Sequence, residues 1–326
     1  MRDDDDTLFS GRGPLPEDLA RLERALSRLS LPPEPDWNAV PPRARRAPVF
    51  AYAAAAAALL VALAGTLLAS DAWRVETLSG EPRLRGLHFF GRIALGGRVV
   101  TGEGARARLD VKGLGRVELE PGSVLRRVPG RRSERKLALD VGTLHALIQA
   151  PPRQFVVETP VGVAVDLGCA YTLSVGRDGH GRLEVTAGRV TFTHGPLESF
   201  VPAGAWCPLR PGGEGVPRRD YASDAFLAAI DAYEQVPDSE PVLEGMLAAA
   251  EASDAITLWH LLPRVQSDTR ARVAARIAEL IEVPADVPRA RVLALEPAAL
   301  DAWWGAIGMG PASEWRAASP RKAFPW

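Results

Sequence analysis

From Val49 to Ala69 the chain carries no charged residue and no proline. At the helical rise such a stretch is just long enough to cross a hydrocarbon core of about 30 Å, which takes roughly 20 residues. In lipid the backbone polar groups must be satisfied within the segment, so a helix is the form it would take there. Tyr52 and Trp73 stand near the two ends, where amphipathic rings favour the headgroup region. The contrasting reading is a helix buried in a folded core, which the alanine run inside the stretch keeps open. The stretch predicts a transmembrane helix over 49–70. It divides the remainder into a short tail over 1–48, a strand-rich domain over 71–210, and a linker with a helical domain over 211–326. A cleaved signal peptide fits poorly, because the leader is too long and Leu67-Leu-Ala is a weak cleavage signal. Arg43, Arg45 and Arg46 precede the stretch and Asp71 follows it, which favours an N-terminus inside and the bulk outside. Arg74, Arg83 and Arg85 make the count close, but long domains translocate largely regardless of charge.

A length of 326 residues allows two domains with real cores. The net charge of −1 gives no global field to attract nucleic acid. His88, His145, His180, His194 and His260 are scattered, and they and the two cysteines lack zinc-site spacing. No metal or other cofactor is expected. No nucleophile elbow, phosphate loop or paired-carboxylate site is visible, so the chain does not read as an enzyme. Asp110, Asp140 and Asp166 alternate with apolar neighbours and read as solvated strand faces, and His180 reads as a hairpin tip.

In the tail, Asp3 to Asp6 repel one another. Leu15, Leu19, Leu22, Leu26 and Leu29 then recur at alternating spacings of four and three, the stripe of an amphipathic helix. Pro16, Glu17 and Asp18 suit its first turn, and Pro32, Pro33 and Pro35 end it. One such helix cannot bury its stripe alone. Docking into a groove of a cytoplasmic partner, self-association, and a leader with no partner all remain open.

Beyond the apolar stretch the pattern turns to short alternating runs punctuated by glycine. Ala105, Ala107, Leu109 and Val111 alternate with charged residues, Leu137, Leu139 and Val141 alternate with Ala138 and Asp140, and Val163, Val165 and Leu167 continue the pattern. Pro121-Gly, Pro129-Gly and Asp178-Gly mark turns. A sandwich, a jelly roll and a β-solenoid all fit. The overall expectation is an α+β multidomain chain: one transmembrane helix, an all-β domain, then an α-helical C-terminal domain.

The run from Val99 to Asp110, then Val117-Glu-Leu-Glu-Pro-Gly-Ser-Val, then Leu137-Ala-Leu-Asp-Val-Gly-Thr-Leu resembles the FecR domain. Its closing part is the most specific: Phe155-Val-Val-Glu-Thr-Pro-Val-Gly, leading through Asp166-Leu-Gly-Cys-Ala-Tyr to Leu183-Glu-Val-Thr-Ala-Gly-Arg-Val. Cys169 stands where that family usually has threonine, and Tyr171 where it has phenylalanine. The resemblance covers about residues 73–210. It implies a β-rich periplasmic domain on a single span in a bacterial inner membrane, N-terminus cytoplasmic, relaying a signal to a sigma factor through the cytoplasmic tail. This tail is much shorter than the family's sigma-regulating domain, and the region after the β-domain is helical. Fold transfers from such a resemblance better than function does.

Cys169 and Cys207 both lie in strand runs. In an oxidising compartment they are candidates for a disulfide closing a loop of about 40 residues, worth roughly 4 kcal/mol on the chain-entropy model. The alternative is two buried thiols acting as small apolar side chains. Residues 208–219, rich in glycine and proline, read as a linker. Ser223-Asp, Ser253-Asp, Ser267-Asp and Pro297 then mark helix starts. Trp259, Trp303 and Trp304 read as core, whereas Trp315 and Trp326, near a polar terminus, are candidates for exposure.

Two functions follow. The first is a non-enzymatic, membrane-anchored regulator in envelope sensing or anti-sigma signalling, with residues 15–29 holding a sigma factor or other cytoplasmic protein. The second is a membrane-tethered binding or scaffold module without a sigma-factor role, its β-domain holding an envelope protein or glycan.

Overall fold

The computed structural model describes residues 17–27, 52–60, 71–131, 133–237 and 239–310. The chain divides into two compact units, Met1–Leu60 and Val61–Trp326.

In the first unit Glu17–Leu26 forms helix α1, with Glu17 and Asp18 in its first turn and no buried residue. Residues 52–60 are helical and exposed throughout. Among the described residues no helix is long and apolar enough to cross a membrane. That finding overturns the expected transmembrane helix over 49–70. The single-pass inner-membrane placement, with a cytoplasmic N-terminus and a periplasmic bulk, is corrected with it. Residues 49–51 and 61–70 of the apolar stretch lie outside the described residues.

The second unit opens with strands β1 (Trp73–Ser79), β2 (Arg83–Arg85), β3 (His88–Phe89), β4 (Arg92–Ile93), β5 (Arg98–Val100) and β6 (Arg106–Val111). Next come β7 (Gly115–Leu119), β8 (Val124–Val128), β9 (Arg135–Ile148), β10 (Phe155–Thr159), β11 (Gly162–Asp166) and β12 (Ala170–Val175). The series ends with β13 (Gly181–Ala187), β14 (Arg189–His194), β15 (Leu197–Pro202), β16 (Ala205–Arg210), β17 (Gly213–Glu214) and β18 (Arg218–Arg219).

These strands make a two-sheet sandwich. One sheet runs β1-β6-β7-β9-β12-β13-β16, with β17 and β18 on its far edge. The other runs β2-β5-β8-β9-β10-β11-β14-β15. The long strand β9 belongs to both, its first half in the second sheet and its second half in the first. Gly142, at φ +105°, sits where β9 changes sheet. A Cβ there would stand 2.4 Å from the Ser123 Cα, so the crossing needs glycine. Ala107, Leu109, Leu137, Leu144, Val157 and Phe192 meet in one core between the sheets.

The run Phe155-Val-Val is buried at all three positions, as in strands covered on both faces. The second cover is helical. Asp224–Gln235 (α2), Glu240–Ala249 (α3), Ala255–Leu261 (α4), Ser267–Leu280 (α5), Arg289–Leu293 (α6) and Pro297–Ala306 (α7) build a further core. Ser223 caps α2 by accepting the Phe226 N–H at 3.2 Å. Trp259, Trp303 and Trp304 are core residues, as the helical spacing predicts. Trp315 and Trp326 lie outside the described residues.

Residues 208–219 are no linker. β16 runs on to Arg210, and β17 and β18 pair back onto it. Arg218 is fully buried against α2, ion-paired with Asp231 and Glu234. Phe200 and Leu167 of the sandwich pack into the helical core. The edge strand β15 is thereby closed: His260 of α4 accepts the Phe200 N–H at Nε2, 3.1 Å away, and donates Nδ1–H to the Ile256 carbonyl at 2.7 Å. That accepting role requires a neutral ring. Burial, reinforced by the Arg264 charge, lowers the His260 pKa to about 3. An otherwise open sheet edge is thus capped by a side chain and a packed helix.

Candidate interaction surface

Two sequence-predicted sites land differently from expectation. Cys169 and Cys207 are both buried thiols, and no disulfide joins them. The register explains why. Cys207 lies opposite Leu183, and Leu183 opposite Leu173, whereas Cys169 immediately precedes β12. The offset is about 13 Å along the strand at the strand rise, plus two strand spacings, well beyond the roughly 7 Å that a disulfide tolerates. Cys169 instead donates its S–H to Asp166 Oδ2, and the Cys207 thiol lies 3.2 Å from the Gly215 carbonyl.

Asp166, expected on a solvated face, is buried to 1% exposure and aimed between the sheets. It also accepts the Gly168 N–H at 2.6 Å. Burial raises its pKa to about 6 against these two donors. Because the folded protein favours the neutral acid, Asp166 contributes stability below its unfolded pKa near 4, and that contribution fades as pH rises through about 6. Urea titrations between pH 4 and pH 7 are expected to show wild type losing about 2 kcal/mol relative to Asp166→Asn. Parallel stability-pH curves for the two proteins would contradict this assignment.

The leucine stripe lies partly in view. Leu22 and Leu26 of α1 are 57% and 55% exposed, and Leu19 is half-buried. Leu15 and Leu29 lie outside the described residues.

A surface that the sequence reading missed stands on the outer face of the first sheet. Arg74, Glu76, Arg108, Asp110, Arg116 and Leu147 line most of an open groove of about 740 Å³. Strand alternation puts these side chains on one face, and the register aligns them. Glu76, Arg108, Glu118 and His145 lie directly across from one another in turn. Arg108 bonds Glu118 at 2.9 Å and Glu76 at 3.3 Å. The Glu118 hydrogen bond leads in holding its guanidinium pKa above the ordinary value. His145 completes the row, with Nε2 3.1 Å from Glu120 Oε1 and Nδ1 2.9 Å from Thr172 Oγ1.

Beside the groove stands the β3–β4 hairpin. Its two turn residues, Phe90 and Gly91, have φ of +44° and +72°, the left-handed pair of a type I′ turn. Phenylalanine is a poor choice there, since that backbone favours glycine or asparagine. The Phe90 side chain is also wholly exposed, with Leu87 at 47% and Leu95 at 42%. Arg92 of the hairpin lies directly opposite Arg74 at the groove, a destabilising like-charge pair. Neither side chain makes an ion pair or hydrogen bond among the described residues, nor do those of Arg116 and Asp110, which lie directly across from each other on β7 and β6. The signal for this site in the sequence was Phe90-Gly91, an aromatic where a turn calls for asparagine or glycine. Among the described residues no group of His, Cys, Asp and Glu is placed to hold a metal ion.

Fold and surface together define a β-sandwich with a charged outer groove and a helical brace. A family model described as FecR protein matches residues 97–191, which take in β5 through the first half of β14. No curated protein matches the chain. Among solved structures, a proposed anti-sigma factor from Parabacteroides distasonis ATCC 8503, solved at 1.65 Å, is similar at 14% identity with a TM-score of 0.33. The match covers 40% of this chain and 63% of that one. A second proposed anti-sigma factor from the same organism, solved at 2.50 Å, has 16% identity and a TM-score of 0.28, covering 53% of this chain and 74% of that one.

Proposed function

We propose that this chain is a non-enzymatic, regulatory binding module, in which the FecR-like sandwich holds a partner protein on its outer face and the helical module braces the sheet. The observation that carries this reading is the pairing of an exposed Phe90 in a strained turn with unpartnered arginines at a groove. Backbone strain and bare apolar surface both cost stability, and both concentrate at functional sites. A photo-crosslinking residue at Asp110, in the full chain in its host cells, is expected to give one discrete protein adduct identifiable by mass spectrometry. Adducts no different from those formed at an exposed control position away from this face, such as Glu279 of α5, would end this reading.

A second, anti-sigma reading rests on the exposed face of α1, with Leu19, Leu22 and Leu26 in position to dock on a sigma factor. Its test is separate. Leu22→Asp with Leu26→Asp should release a co-purifying sigma factor, and unchanged co-purification, or none from wild type, removes this alternative.

A further inference from the structure

We infer that the groove and hairpin receive an acidic, leucine-bearing segment of the partner protein, its carboxylates on Arg74, Arg92 and Arg116 and its apolar side chains against Phe90, Leu87 and Leu147. This inference rests on the binding-module reading and adds the chemistry of the bound segment.

The charge argument comes first. Arg74 and Arg92 face each other across adjacent strands, where Cβ atoms stand about 5 Å apart. Two exposed guanidinium side chains rooted at that spacing repel each other weakly in solvent, and an anion between or upon them relieves that repulsion. The planar fork of arginine binds a carboxylate with two parallel hydrogen bonds. Arg116 lies on the next strands of the same groove, also without a partner among the described residues. Three guanidinium groups without an ion pair among the described residues thus stand around one acid, Asp110, which lies directly across from Arg116, and the excess of positive charge points to more than one carboxylate.

The apolar argument comes second. Phe90, Leu87 and Leu95 are exposed on the hairpin, and Leu147 is 39% exposed in the groove. A ligand that supplied charge alone would leave these uncovered. An amphipathic segment meets both requirements at once.

The surroundings also separate a protein segment from an anionic lipid surface. Glu76 and Asp110 stand among the arginines, so a uniformly negative plane would meet repulsion as well as attraction. A segment with discrete carboxylates can place them on the arginines and avoid the acids. This is specificity by like-charge rejection.

The turn supplies a clean test. Gly replaces Phe at a left-handed position without strain and removes the aromatic ring, so Phe90→Gly is expected to keep or raise the melting temperature. The full chain is titrated into a short fluorescein-labelled peptide of alternating glutamate and leucine pairs, followed by anisotropy. Matched peptides with lysine for glutamate, and with serine for leucine, serve as comparisons, and phosphatidylglycerol vesicles provide the lipid arm. Saturable binding of the glutamate–leucine peptide alone is expected, weakened by salt. Phe90→Gly should weaken it by roughly tenfold or more at unchanged fold. Arg74→Glu with Arg92→Glu should reverse the preference toward the lysine–leucine peptide. Equal binding of all three peptides, indifference to Phe90→Gly, or binding to vesicles but not peptide would each overturn the inference. If the peptide fails while the Asp110 crosslink forms, the binding-module reading stands and the acidic chemistry falls. If both fail, so do both readings.

Discussion

Arg218→Ala is expected to cost about 3 kcal/mol, the low end for breaking a buried ion pair. The side chain is fully buried, with Nη1 2.8 Å from Asp231 Oδ1 and its other amino group on Glu234. Its guanidinium also lies 5.1 Å from the centre of the Trp206 ring. Removing it leaves Glu234, only 10% exposed, short of one cation. Two features keep the cost from the upper end of the range. Arg210 still reaches Glu234 at 2.8 Å, and Asp231 is 48% exposed and partly solvated. For a unit of this size such a loss lowers the melting temperature by about 6–12 °C. Arg218→Lys should fall between, since a lysine cannot reproduce the fork on two carboxylates. A calorimetric shift of less than about 2 °C for Arg218→Ala would show that β18 and α2 do not depend on this contact.

Trp304→Ala is expected to cost about 3–5 kcal/mol. The indole is fully buried, with its ring centroid 5.0 Å from Phe200, 4.8 Å from Trp259 and 5.7 Å from His260. One partner belongs to the sandwich edge and two to α4, so the cavity opens where the two cores meet. The loss should therefore register in both. Hydrogen exchange at the Phe200 amide is expected to quicken along with exchange in α4, and unfolding should remain a single transition at lower temperature. If exchange accelerates only in the helices, the helical module folds by itself and the brace at β15 is not energetically coupled to the sheet.

The same junction explains which parts of the architecture could be read in advance. Ala105, Ala107, Leu109 and Val111 alternate with charged residues because one face of β6 meets the core and the other meets water, and the structure buries all four. Ser223 and Pro297 mark true helix starts, because their effect on the backbone is local. The run at Val163, Val165 and Leu167 misled in the other direction. Ala164 and Asp166 point between the sheets, and Leu167 packs against the helical core. Alternation tells a reader which residues share a face, but a strand covered on both sides hides which face is inward.

What the order of residues determined alone was everything dictated within a few positions: strand alternation, the capped helices, the leucine spacing of α1 and the tryptophans of the helical core. What only the tertiary structure decided was each feature that depends on residues far apart in the chain. It separated Cys169 from Cys207, buried Asp166, turned residues 208–219 from linker into sheet, and set Arg92 against Arg74 beside Phe90. Composition predicted a full membrane crossing, and among the described residues no helix is long and apolar enough for one. The physical reason is common to these cases. Local preference is set by sterics and hydrogen bonds between near neighbours, whereas strand register and burial are settled by which distant surfaces come to cover one another.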